Sequence, residues 1–446
     1  MTDHRINRRE WFGVTAGAMS LAAGERIVQG SSAEAKRPRV AAVITEFTHR
    51  SHAHVILENF LEPYYFNGKL TESGMDVVSL YVDQFPDRDM AREVAKQYGI
   101  TIYPTIAEAL RLGSKELAVD GVLSIGEHGN YPKTDRGAIM YPRKRFFDEI
   151  VAVFRQSGRV VPLFSDKHLS YRWDWADEMA RVARELKIPF MAGSSVPLAQ
   201  RRPPLELPDD AKIEEAVSVH SGPPEVYDFH GLEVLQSIVE ARRGGETGVS
   251  EVQLLEGDAV WQAAAEGRWS YALAEAAMRA ETGKEVGRLQ DFIEPADGKQ
   301  HPVHAILIRY RDGLRATVLR IGNVSTRWCF ACRLAGKPEP LATSFYVGPW
   351  ENRNLFKALS HAIQTHIREK QAPYPVERTL LVTGMLATAM DSRFEQHKLL
   401  ATPHLQVTYQ PRDFRAMREM GESWKIITED IPQPKGINPI GSQRKQ

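Results

Sequence analysis

The chain has 446 residues, 43% of them apolar, and its 57 Lys and Arg are matched by 57 Asp and Glu. That length can hold two domains, each with its own core. The balanced charge removes the electrostatic case for a nucleic-acid partner, which calls for a basic excess to displace counterions. No run approaches the ~20 consecutive apolar residues that span a bilayer.

In chain order, Asn7-Arg8-Arg9-Glu10-Trp11-Phe12 precedes a mildly apolar stretch, Gly13–Gly24, and then Ala33-Glu34-Ala35. This is the layout of a twin-arginine signal peptide over residues 1–35, cleaved before Lys36, and it predicts a periplasmic or otherwise exported protein. Arg39–Thr45 reads as a first strand. Val77–Val82 reads as a second that stops at Asp83 and is followed by a helical pattern from Met90 to Gly99. Tyr103–Leu110 is a short helical segment, Val119–Ile125 a third strand, and Val160–Phe164 a fourth, closed by Ser165-Asp166-Lys167-His168. Strands separated by helices of this length imply a parallel sheet whose ligands sit outside the carboxyl ends of the strands, where Asp83, Glu127, His128, Asp166 and Lys167 fall. Residues 36–195 are therefore expected to form a Rossmann-like, doubly wound α/β domain.

A proline-rich connection, Val196–Asp210, marks the expected boundary. Beyond it come a strand at Ile213–Val219, a helix at Phe229–Arg242, a hairpin from Val303–Tyr310 and Leu314–Ile321, and strands at Trp328–Leu334 and Ala342–Val347. Leu355–Arg368 and Glu377–Phe394 read as covering helices. The expectation for 196–430 is an α+β domain, a mostly antiparallel sheet with helices on one side, followed by a loose tail at 431–446. The two cysteines, Cys329 and Cys332, fall three apart in a strand and so on opposite faces, which predicts buried free thiols and no disulfide.

Asp83 followed by Ala95-Lys96-Gln97-Tyr98-Gly99, then Tyr103–Leu110, Asp120-Gly121-Val122 and Asp166-Lys167-His168 resemble, in order and spacing, the glucose-fructose oxidoreductase/inositol dehydrogenase/rhizopine-catabolism (Gfo/Idh/MocA) family. The resemblance implies an oxidoreductase that passes a hydride between a nicotinamide dinucleotide and a sugar or sugar-derived alcohol. NAD is preferred over NADP because a 2′-phosphate would meet the Asp83 carboxylate. It implies cofactor contacts from Thr45, Thr48, Asp83, Glu127, His128, Asp166 and Lys167, with Lys167 also catalytic and His230 as the proton acceptor. His230 lacks the family's acidic partner four residues earlier, where Val226 stands, leaving Glu225 and Asp228 as substitutes; Asp228 is taken as the catalytic partner. Two departures bear on this reading: His168 replaces the family's proline, and the first turn, Thr45-Glu46-Phe47-Thr48-His49-Arg50-Ser51, has no glycine where the family brings backbone against a pyrophosphate.

His49, His52 and His54, with Glu46 and either His128 or His168, could instead converge on a divalent metal, although no H-x-x-x-H spacing supports it and no metal is expected. The histidine loop and the missing glycines keep two alternatives open: a non-redox lyase or hydrolase, and a non-catalytic sugar-binding protein. The partner expected is a small carbohydrate-like molecule, and a sheet face left uncovered would favour a homo-oligomer.

Overall fold

The computed structural model describes residues 36–293 and 302–438. The signal-peptide reading of residues 1–35 falls outside them. Val40–Ile44 is fully buried, the signature of a strand covered on both faces, and it sits inside a six-stranded, all-parallel sheet. The strands run in the order Thr101–Tyr103, Asp76–Val82, Arg39–Ile44, Gly121–Ile125, Leu163–Asp166 and Phe190–Gly193. The chain winds outward one way from Arg39–Ile44 and then the other, so the switch point lies between that strand and Gly121–Ile125.

A mixed sheet of eight strands follows, in the order Leu400–Ala401, Val249–Glu256, His304–Tyr310, Arg315–Arg320, Ile213–His220, Trp328–Leu334, Leu341–Tyr346 and Gln200–Arg202. Only the Ile213–His220 and Arg315–Arg320 pair is parallel; the others are antiparallel. This is the expected fold class, a Rossmann-like sheet followed by an α+β part. Both sheets lie in one compact unit. Cys329 and Cys332 are buried free thiols, and they pack into the cores on opposite faces of the second sheet.

Three expectations are corrected. Helices cover both faces of the second sheet: Val226–Val239 and Val376–Phe394 on one, Asp258–Ala265 and the alanine-rich Tyr271–Thr282 on the other. The first of the two expected covering helices, found at Asn352–Glu369, packs instead beside His52–Leu61 on the first sheet, with Phe356, Leu359, Ile363 and Ile367 in that sheet's core. Polar contacts hold it there, since Tyr64 donates to Gln364 at 2.7 Å and Asn59 to Ser360 at 3.1 Å. The tail is anchored through residue 438: Ile437 is fully buried in the first core, and Arg353 donates to the Pro434 carbonyl at 2.7 Å.

The helices Val226–Val239 and Val376–Phe394 are tied by Arg378, fully buried, whose Nε donates to Glu240 at 2.9 Å. Removing one partner strands a charge in the interior. Arg378→Ala is expected to cost about 3–5 kcal/mol in urea unfolding; a loss below about 1 kcal/mol would show that the pair does not join the helices.

Candidate active site

At the switch point the backbone leaves Ile44 and closes the crevice instead of opening it. Thr45 N–H donates to the Ile125 carbonyl at 3.2 Å and its hydroxyl to the Glu127 carbonyl at 2.5 Å. Phe47, in the turn without glycine, turns inward and is fully buried in the core. Thr48 bonds Glu46 at 2.8 Å, and Ser51 caps the helix His52–Leu61 by accepting from the backbone of Thr48 and His54.

The far side of this edge is also occupied. Asp83 accepts from Tyr81 and Tyr131 at 2.7 Å each and from Arg145 at 2.5 Å. Burial pushes its carboxyl up, but the bonds from Tyr131, Tyr81 and Arg145 outweigh this and hold it below the ordinary range. Gln84 bonds both the N–H and the carbonyl of Asn130, pinning the 126–142 loop across the strand end.

Beside the closed crevice, the carboxyl ends of Gly121–Ile125 and Leu163–Asp166 meet the start of Val226–Val239 in a buried polar chain. Lys167 Nζ donates to His230 Nε2 at 2.6 Å and lies 3.6 Å from Glu127. His230, thus accepting at Nε2, carries its proton on Nδ1 and donates to Ser194 at 2.6 Å. Arg143 donates to Glu127 at 2.7 Å and to His168 Nε2 at 3.0 Å, and His168 lies 3.4 Å from Glu225. Burial pushes the Glu127 carboxyl up, but the Lys167 and Arg143 charges reverse this and keep it ionised. Burial, reinforced by Lys167, drives His230 well below its ordinary value, so it is neutral. Burial, reinforced by Arg143, does the same to His168.

Three residues here adopt left-handed backbone despite their side chains: His128 at φ 72°, Lys167 at 69° and Glu225 at 66°. Such strain costs of order 1–3 kcal/mol per residue and collects at functional sites. At Lys167 it turns successive side chains to opposite sides of the strand end. Lys167 lines a cavity of about 270 Å³ between the two sheets, together with His52, Glu127, His128, His230 and Trp328.

His52, which sequence reasoning left in the histidine loop, is a central residue. Its Nδ1 lies 2.6 Å from Asp166 Oδ2, while Nε2 makes no hydrogen bond among the described residues. Asp166 thus orients an imidazole toward the cavity. The three loop histidines do not converge on a metal: His54 is buried, its pKa lowered to about 3 by desolvation, and its Nδ1 accepts from the Arg50 backbone.

Asp228 does not partner His230. Its Oδ1 accepts from His304 at 2.6 Å and His220 at 3.0 Å, and its Oδ2 from the Glu225 backbone at 2.7 Å, closing the capping box of the helix. These three ligand atoms lie within 4.8 Å of one another, a metal-compatible spacing. Arg320 pairs in register with both histidines and already supplies a cation to that row.

No family model and no curated protein matches the chain. Among solved structures, it is similar to GenD2 from gentamicin A biosynthesis, in complex with NAD, with 11% identity, 85% of this chain and 99% of that one covered, and a TM-score of 0.50. It is also similar to apo scyllo-inositol dehydrogenase from Lactobacillus casei, with 10% identity, 82% and 98% covered, and a TM-score of 0.50. The chain shares its fold with these two proteins.

A dinucleotide held in the manner of the Rossmann motif does not fit the residues as they stand. Thr45 bridges the crevice, Phe47 is in the core, and the oxygens of Asp83 are taken. The first helix N–H, from His52, faces His128 Nδ1 at 3.5 Å.

Glu225 and Glu233 are both buried, and desolvation raises each from its ordinary 4.5 to about 7. A carboxyl raised on folding holds its proton in the native state between those values, so its contribution falls as pH rises from 4.5 to 7. Glu233→Gln is therefore expected to match the wild type near pH 4.5 and to gain on it up to pH 7, by an order of about 3 kcal/mol in denaturant titrations. A pH-independent difference would refute this ionisation.

Proposed function

We propose that the chain is an enzyme that moves a proton at a carbonyl-bearing carbon of a small sugar-derived substrate, a lyase or isomerase built on a dehydrogenase fold. The observation that supports it is the arrangement around the 270 Å³ cavity, an Asp166-oriented His52 on the same cavity as Lys167, beside a dinucleotide crevice closed by the chain itself. Asp166 accepts the His52 Nδ1 proton and leaves the Nε2 lone pair as the base. Lys167 spends two N–H directions on His230 and Glu127 and has a third for the substrate oxygen. The C–H bond next to the carbonyl breaks, its proton passes to His52 Nε2, and the electron pair moves into an enolate whose oxygen the Lys167 ammonium stabilises. If the deprotonated carbon carries a hydroxyl, passing that hydroxyl's proton to the enolate oxygen and returning the proton from His52 to the former carbonyl carbon completes an isomerisation; if the next carbon carries a hydroxyl, His52 gives it the proton, it leaves as water and the electron pair returns from the enolate oxygen, completing an elimination. Neither needs a co-reactant.

A second reading, an NAD-dependent oxidoreductase acting on a sugar alcohol with Lys167 and His230 at the chemistry, is favoured by the fold shared with GenD2. Mass spectrometry of natively purified, then denatured protein separates the two: a bound dinucleotide supports the second reading. Under the first, a ketose or keto-inositol incubated with the enzyme in D₂O should take up deuterium next to the carbonyl. Lys167→Ala should slow that exchange by about 10²–10³-fold and His52→Gln by about 10²–10⁴-fold. Exchange unchanged in both variants would overturn the assignment.

We also propose export by the twin-arginine route. Arg8→Lys with Arg9→Lys is expected to retain the protein in the cytoplasm, and undiminished export of the double variant would exclude the route.

A further inference from the structure

A second cavity lies on the opposite side of the same strand end. It measures about 640 Å³, more than twice the Lys167 cavity. One wall is aromatic, formed by Tyr171, Trp173 and Trp175 at the start of the helix Trp173–Glu185. The facing wall is apolar, from Met140, Leu386 and Met390. Its rim carries two ion pairs, Arg136 with Asp391 and Arg172 with Asp174 at 2.6 Å, and its floor is His168 and Glu225. The aromatic wall is partly open: Tyr171 and Trp175 meet edge to face at 5.3 Å, and all three rings retain intermediate exposure.

The polar groups within reach of a ligand lie at the rim, where the guanidinium groups of Arg136 and Arg172 and the carboxylates of Asp391 and Asp174 are all partly exposed. His168 and Glu225 are buried beneath them.

We propose that this second cavity binds a saccharide, its C–H faces stacked on Trp173, Trp175 and Tyr171 and its hydroxyls bonded to the charged rim of Arg136, Asp391, Arg172 and Asp174. A pyranose pairs an apolar ring face with a polar edge, and this cavity pairs an aromatic wall with a charged rim; its volume suits a disaccharide. The inference shares with the proposed function only the class of ligand. Consecutive residues, Lys167 and His168, line the two cavities, and the Glu127–Arg143 pair stands between them as a wall. The saccharide held here is therefore distinct from the molecule that reacts at Lys167.

Titration of the full chain with maltose and with cellobiose, read by tryptophan fluorescence and calorimetry, tests this. At least one is expected to bind saturably, with affinity weakened about tenfold or more in Trp175→Ala. Ala387→Trp, which fills the cavity from the helix Val376–Phe394, should abolish binding while leaving the circular dichroism spectrum unchanged. Lys167→Ala should leave this affinity intact although it slows deuterium exchange, so the two sites fail or succeed separately. Binding of neither disaccharide to the wild type, or affinity that survives Ala387→Trp, overturns the proposal.

Discussion

The site depends on the burial of one ionised carboxylate. Glu127 is 4% exposed, and an isolated charge at that depth would cost several kcal/mol and give up its ionisation instead. Arg143 from one side and Lys167 from the other reverse that outcome. Burial, reinforced by the same two cations, keeps His230 and His168 neutral, so one buried charge cluster bears on groups of both cavities. The left-handed backbone at Lys167 follows from this demand, since it delivers the ammonium to Glu127 and His230 together while the next residue turns to the other side.

The closed crevice and the open cavity are two results of the same local sequence. Without glycine, the turn after Arg39–Ile44 cannot bring its backbone against a phosphate, and Phe47 gains more by entering the core. Thr45 then reaches the Glu127 carbonyl and fixes the strand end from which Glu127 and His128 emerge. The strand end that an open parallel sheet of this kind offers to a dinucleotide serves here to position a carboxylate and to set His52 against Asp166.

The sheets were legible in the sequence because their signals are local. Val77–Val82 and Trp328–Leu334 are apolar runs broken only by Ser79 and Arg333, and they appear within a residue of their expected bounds. Lys167 was legible at its strand end and His230 through the family resemblance, and the structure brings them to 2.6 Å. The partners were not legible. Arg143 sits at a helix start with no motif around it, Ser194 is one small residue among several, and the His52–Asp166 contact joins positions whose proximity only the sheet order creates. Asp228 misled because it stands at the third position after Glu225, which made it the natural partner for a capping box while His220 and His304 reached it from two strands of the second sheet. Tyr271–Thr282 was missed because its alanines bury one helical face without the larger side chains that make periodicity visible.

The helix Asn352–Glu369 carries a consequence for the order in which the chain acquires structure. It supplies part of the apolar cover over one face of the first sheet, yet it is encoded after nearly all of the second. During synthesis the strands Arg39–Ile44 to Phe190–Gly193 emerge early with that face only partly covered, by helices such as His52–Leu61, and the rest stays open until residue 369 has left the ribosome. The amino-terminal half therefore cannot complete its core as an independent unit, and a fragment ending near Val196 would expose the apolar seat of Phe356, Leu359 and Ile363 to water. Holding such a nascent sheet soluble over that interval is a task for a chaperone, and the carboxy-terminal half doubles as the lock on the amino-terminal one.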